Sequence, residues 1–174
     1  MKFHSLLLCL ILLSACISPS PNIRDIPAEP APYTLISQAT ETYIDTQLRW
    51  GGTVIDVENE IDSSLMQVLF YPLDANGYPQ TNEPSQGRFA IKTSKFLDPA
   101  IFVKDAEITV AGSVKGEIER LVGHKPVRMP LIEAEAVCLW PKEYRGRRYY
   151  DEAIFRYVPD PYFGGYCGPY GYWW

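Results

Sequence analysis

Histidine is almost missing from this chain of 174 residues. Only His4 and His124 occur, and His4 lies in the N-terminal apolar run. One remaining histidine, with no cysteine pair at ligand spacing, cannot assemble the usual Cys/His metal set. A Ser/His/Asp triad would have to use His124, whose Gly-His-Lys-Pro surroundings offer no nucleophile elbow. A lone loop histidine is more simply a solvated one. Positive charge is also scarce: 16 Lys and Arg stand against 21 Asp and Glu, a net of −5. That argues against nucleic acid, whose main attraction needs a basic surface, and it leaves no charge to hold a phospholipid surface. No apolar run reaches the roughly 20 residues a spanning helix needs. Gly51-Gly52 follow Trp50 inside a strand-like run and lack any dinucleotide or P-loop spacing. No cofactor is therefore expected.

What the sequence does have begins at its N-terminus. Lys2, then Phe3 to Leu13 broken only by His4 and Ser5, then small residues, have the layout of a secretory signal peptide over residues 1–15. Leu13-Ser14-Ala15-Cys16 resembles the bacterial lipobox, in which the cysteine sulfur receives diacylglycerol and the freed amine a third acyl chain. The plainer alternative is an ordinary cleaved signal with an incidental Cys16. Pro19, Pro21, Pro27, Pro30 and Pro32 make residues 16–33 a Pro/Ser-rich tether that cannot continue a helix. Removal of the first fifteen residues leaves 159, enough for one domain with a core, and takes Lys2 away, so that the net is nearer −6. Acyl chains would anchor such a protein, since each buried CH₂ contributes ~0.8 kcal/mol. Of the four cysteines, Cys9 leaves with the signal and Cys16 would be lipidated. Cys138 and Cys167 remain, and an oxidising compartment permits their pairing. Otherwise Cys138 is a small buried strand residue and Cys167 a thiol in the tail.

From residue 34 the pattern becomes that of a mainly β domain ending at residue 141. Leu35, Ile36, Ala39, Tyr43 and Ile44 predict a short helix, with Ser37 a candidate N-cap. Five strands follow: Leu48 to Asn59, Leu65 to Tyr71, Gly87 to Thr93, Glu107 to Gly116 and Pro130 to Trp140. In the first, Trp50, Gly52 and Val54 oppose Thr53, Ile55 and Val57. Its adjacent glycines call for a sharp coil or a close backbone approach, as a small closed barrel requires. Met66, Val68, Phe70, Phe89 and Ile91 are core candidates. In the last strand, Ile132, Ala134, Ala136, Cys138 and Trp140 are expected on one face and Glu133 and Glu135 on the other. Pro72 to Gln86 reads as a wandering loop, Ser94 to Lys104 as an irregular cover, and Glu117 to Met129 as a polar excursion. The whole describes a five-stranded OB-like barrel, with an open β-sandwich as the rival.

Glu133 and Glu135 share a strand face and could form an acid/base pair of the glycosidase kind. The alternation with Ala134 and Ala136 more simply makes them a solvent face. Trp50 and Trp140 could stack on a glycan, although strand tryptophans more often fill cores. Residues 142–174 form an irregular tail, and residues 141–174 hold 12 of the 23 aromatic residues, with glycines interleaved and Trp173 and Trp174 at the end. Three fates remain open for it: a membrane interface, a docked contact on the barrel or a partner, or a disordered extension.

Several motifs now fall in one order: the lipobox, Arg49-Trp50-Gly51-Gly52, Gly87-Arg88-Phe89, Phe96-Leu97-Asp98-Pro99, Ile108-Thr109-Val110-Ala111-Gly112 and Leu139-Trp140-Pro141. Together, over about Ile26 to Pro141, they resemble the Slp family of starvation-inducible outer-membrane lipoproteins of Gram-negative bacteria. The resemblance implies a lipid-anchored, periplasm-facing outer-membrane protein with no catalytic motif. Ile17, where an aspartate would retain a lipoprotein in the inner membrane, agrees. The expected function is thus non-enzymatic and structural or interactive, with an envelope protein or glycan as partner. The alternative is a periplasmic binding module for a glycan or small ligand on an OB-like face.

Overall fold

A computed structural model describes residues 32–140 apart from residue 76. The signal peptide, Cys16, nearly all of the tether, Cys167, Trp173, Trp174 and the rest of the tail lie outside the described residues. Within them the order is α1 (Tyr33–Gln38), a 3₁₀ turn (Thr40–Tyr43), β1 (Gln47–Asn59), β2 (Ser64–Tyr71), β3 (Gly87–Thr93), β4 (Glu107–Val122) and β5 (Lys125–Trp140).

The five strands form a single antiparallel-rich sheet that closes on itself in the order β1-β2-β3-β5-β4. Two pairings make the closure. β3 and β5 run parallel from Ala90↔Leu131 to Lys92↔Glu133, and β1 meets β4 from Gln47↔Ser113 to Thr53↔Glu107. β1 serves two partners, because from Gly51 onward it also pairs with β2. The double glycine falls where those two pairings overlap. A Cβ on Gly52 would stand 2.1 Å from the Leu69 carbonyl oxygen, so the coil of β1 tolerates no side chain there.

The interior is filled by Leu48, Trp50, Val54, Met66, Val68, Phe70, Phe89, Ile91, Ile108, Val110, Val114 and Ile132. Tyr33 and Ile36 close one end, where the Tyr33 hydroxyl donates to the Arg88 carbonyl at 2.8 Å. Leu97, Phe102 and Ala106 join the core from the irregular segment before β4. Leu97 N–H donates to Ser64 Oγ at 3.0 Å, at the far end of β3 from Arg88.

Several boundaries and faces differ from the sequence reading. The helix starts one residue before the predicted domain boundary and stops at Gln38, with Pro32 as N-cap. Ser37 is not the cap: it lies inside the helix and its hydroxyl donates to the Thr34 carbonyl at 3.3 Å. β4 and β5 continue through the predicted polar excursion as a two-stranded arm, paired from Glu117↔Pro130 to Val122↔Lys125. The segment reads as polar because only one side of the arm is covered, by Ile118, Val127 and Met129 packed with Leu65 and Ala90. Gly123 (φ 62°) and His124 form its two-residue turn, with positive φ at the first position as in a type II′ hairpin.

Three bulges interrupt the pairings, one at Lys115 of β4 and two that overturn the alternation expected for β1 and β5. β1 pairs Val54 with Val68 but Asp56 with Gln67, leaving Ile55 extra. The phase flips there, so Val57 packs against the core although it was placed opposite Trp50. In β5, Ala136 pairs with Ala111 and Ala134 with Gly112, leaving Glu135 extra. Beyond that point Val137 and Leu139 turn to the interior. Ala136, Cys138 and Trp140 turn outward, in place of the single face expected for Ile132 through Trp140.

Candidate interaction surface

The bulge at Glu135 creates a second, smaller cluster on the outside of the sheet. Ala111, Ala136 and Cys138 are 0, 2 and 1% exposed, with Trp140 packed against them. The outward residues of β4 continue this face through Thr109 to Glu107, and those of β1 through Arg49 and Gly51.

The loop between β2 and β3 folds over one half of the face. A Cβ on Gly51 would meet Leu73 Cδ2 at 2.3 Å and Pro79 Cγ at 3.1 Å, so the missing side chain lets the loop lie against the strand backbone. The loop is turned tightly by Gly77 N–H donating to the Asp74 carbonyl at 2.9 Å, with Gly77 at φ 82°. Asp74 Oδ1 also accepts from Tyr78 N–H at 2.9 Å. Tyr78 is thereby driven down onto the sheet, 3% exposed. Its ring centroid lies 4.9 Å from that of Trp140.

Beneath the loop lies a polar chain. Trp140 Nε1–H donates to Thr109 Oγ1 at 2.9 Å, and the Thr109 hydroxyl donates to the Gly77 carbonyl at 2.7 Å. Glu107, 8% exposed, accepts from the Tyr78 hydroxyl and, at 2.8 Å, from Thr81 Oγ1. A polar group so withdrawn from water is costly unless it is hydrogen-bonded, as these donors make it. Its position pins the loop, and no second carboxylate or histidine joins it there among the contacts described.

A family model described as the outer membrane lipoprotein Slp family matches residues 13–174. The chain belongs to this family. Slp-family members are described as outer-membrane lipoproteins, in agreement with the address read from residues 13–16. Two relatives come from Escherichia coli (strain K12). The uncharacterized lipoprotein YeaY is 27% identical over 93% of this chain and 81% of its own. Outer membrane protein Slp is 28% identical over 74% of this chain and 69% of its own. Neither name carries a catalytic activity. Among solved structures, a small single-stranded DNA-binding protein from Streptomyces coelicolor aligns at TM-score 0.35 and 11% identity, covering 53% of this chain and 92% of that one. Similarity at that level carries no argument about what the Slp-family chain binds.

The residues singled out in the sequence are scattered by this fold. Trp50, a candidate contact in the sequence, is 2% exposed inside the barrel, edge-on to Phe70 and Phe89 at 5.5 and 5.3 Å. Trp140 lies on the outer patch. Glu133 and Glu135 both point outward, yet each has its own partner. Lys115 Nζ is 3.6 Å from Glu133 Oε2, and Gln47 Nε2 donates to Glu135 Oε1 at 2.6 Å. His124 sits exposed at the tip of the arm, and no group of three metal-ligating side chains exists among the described residues. Tyr78, Thr109 and Glu107 were missed. The Asn76-Gly77 dipeptide just before Tyr78 marks a turn in the sequence, but nothing local to it says which side chain is buried beneath.

The outer face of β2 and β3 bears on ligand binding. Leu65, Gln67 and Ala90 point outward there, yet are 7, 8 and 0% exposed. Met129 and Leu131 of the β5 arm pack over Leu65 and Ala90. The chain's own apolar side chains thus fill this face.

Proposed function

We propose that this Slp-family chain is held at the outer membrane through lipidated Cys16 and works there as a non-enzymatic structural or interaction protein of the envelope. The observation that carries the reading is the family match beginning at Leu13, so that it takes in the lipobox itself. The closed strand order β1-β2-β3-β5-β4 with its end-capping helix supports an OB-like barrel as the body of the protein. The seventeen residue steps from Cys16 to Tyr33 would let that body stand about 50 Å from its anchor, at roughly 3.1 Å per residue of a Pro-rich extended chain. The alternative, a glycan- or small-ligand-binding module, loses support from the filled β2–β3 face and from the burial of Trp50. The test is metabolic: [³H]palmitate is expected to label the wild type and not Cys16→Ala, which should move to the soluble periplasm. Label retained on Cys16→Ala would refute the anchor.

A further inference from the structure

The outer patch of β1, β4 and β5 is only half accounted for by the loop above it. Leu73 and Pro79 cover Gly51, and Tyr78 covers Trp140. Ala111, Ala136 and Cys138 lie beside that cover, with Trp140 as the large side chain packed on them among the described residues. Alanines on the outer face of a sheet cannot hide themselves, because their side chains stand clear of the strands by a single methyl group. Exposures of 0 and 2% at Ala111 and Ala136 therefore call for something lying across them.

We propose that residues 141–174 fold back onto this patch and are fastened there by a disulfide between Cys138 and Cys167. The choice of Cys167 over Cys16 as the partner rests on the lipid anchor proposed above, and a peptide linking Cys138 to Cys16 would count against that anchor without touching the patch. Three observations select this occupant. The chain leaves the barrel at Trp140, on the rim of the patch. The 34 residues that follow carry 12 of the 23 aromatic residues, the side chains suited to covering a flat apolar surface. They also carry the one cysteine left for Cys138 once the signal and the lipobox have taken theirs. The 29-residue separation of the two cysteines imposes no stretch on the segment.

The covalent step balances as an ordinary thiol–disulfide exchange. Two thiols lose two protons and two electrons to a disulfide-bearing oxidant of the envelope, which departs as a dithiol.

The full mature lipoprotein in detergent is the sample. Non-reducing digestion and mass spectrometry should find one linked peptide pair joining Cys138 to Cys167. Trypsin should cut at Arg145, Arg147, Arg148 and Arg156 at least tenfold more slowly before dithiothreitol than after it. Ala136→Arg, which puts a bulky charge on the patch and leaves the barrel interior alone, should raise that cleavage to the same degree. Unchanged amide-exchange protection of β2 and β3 controls for folding. Should Ala136→Arg not fold, Cys167→Ser, altered outside the barrel, gives the same reading. Free thiols with equal cleavage rates overturn the proposal. So does a disulfide dimer, which would assign the patch to a second copy, and so does protection that arises only when phospholipid vesicles are added.

Discussion

At the scale of single residues, the most exacting position is Gly52. The 2.1 Å approach of Leu69 oxygen to its would-be Cβ involves backbone on both sides, so neither partner can swing away. Gly52→Ala should cost roughly 3 kcal/mol, read as a drop of about 10 °C in melting temperature. Glu107 is the polar counterpart. Removing the Tyr78 hydroxyl with Tyr78→Phe takes away one hydrogen bond to this buried carboxylate and should cost about 1–2 kcal/mol. Faster amide exchange confined to residues 72–81 would locate the effect, and exchange spreading into the barrel would count against a pinning role. Tyr33 supplies a pH dependence. Burial pushes its hydroxyl above the ordinary value of 10.0, so the folded state holds a proton that the unfolded chain gives up. Stability should be complete below pH 10 and fall as the pH climbs from there toward the raised native value. Lys115, raised by its hydrogen bond to Asp45, loses its contribution in the same direction. Denaturation at pH 9 and pH 11 should show a shallower alkaline loss for Tyr33→Phe than for wild type.

Among the elements, the strands matter most where they break their own alternation. β5 carries two faces in succession: Ile132 and Ala134 pack with the interior, then Glu135 slips the register and Ala136, Cys138 and Trp140 face out. An extra residue leaves no mark in a hydrophobic pattern when both faces are lined with small apolar side chains, which is why the sequence reading kept one face throughout. The arm of β4 and β5 hid for the opposite reason. Its charged outer side dominates Glu117 to Met129, and only its packing on Leu65 and Ala90 makes it a strand pair. Met129→Ala should open a cavity there and cost about 2–4 kcal/mol. Exchange should quicken across residues 118–131, while the β1–β4 pairs keep their protection. If protection were lost evenly through the sheet, the arm would be part of the barrel's cooperative core and not an appendage to it.

For the whole molecule, the decisive quantities are charge and lipid. A net charge of −5 gives the chain as a whole little attraction for an anionic surface. Membrane retention should therefore survive 1 M salt, which screens surface charge to about 3 Å, and should yield to detergent. Fractionation of cell envelopes followed by immunoblotting decides this, and release by salt alone would point to a peripheral, electrostatic attachment. The filled outer face of β2 and β3 belongs to this scale as well. There the chain's own Met129 and Leu131 pack where a ligand would otherwise have to sit.

The sequence by itself determined the address, the strand count and the identity of the main core: Met66, Val68, Phe70, Phe89 and Ile91 are all buried where their alternation put them. Those features are local, since a cleavage motif or a period of two is written in consecutive residues. The tertiary structure alone decided the closure of the ring, the burial of Trp50, the pinning of Tyr78 on Glu107 and the outward turn of Cys138 and Trp140. Each of these depends on which strand lies beside which and on a one-residue slip between them. Pairing across tens of residues is fixed by packing of the whole, and no stretch of neighbouring letters contains it.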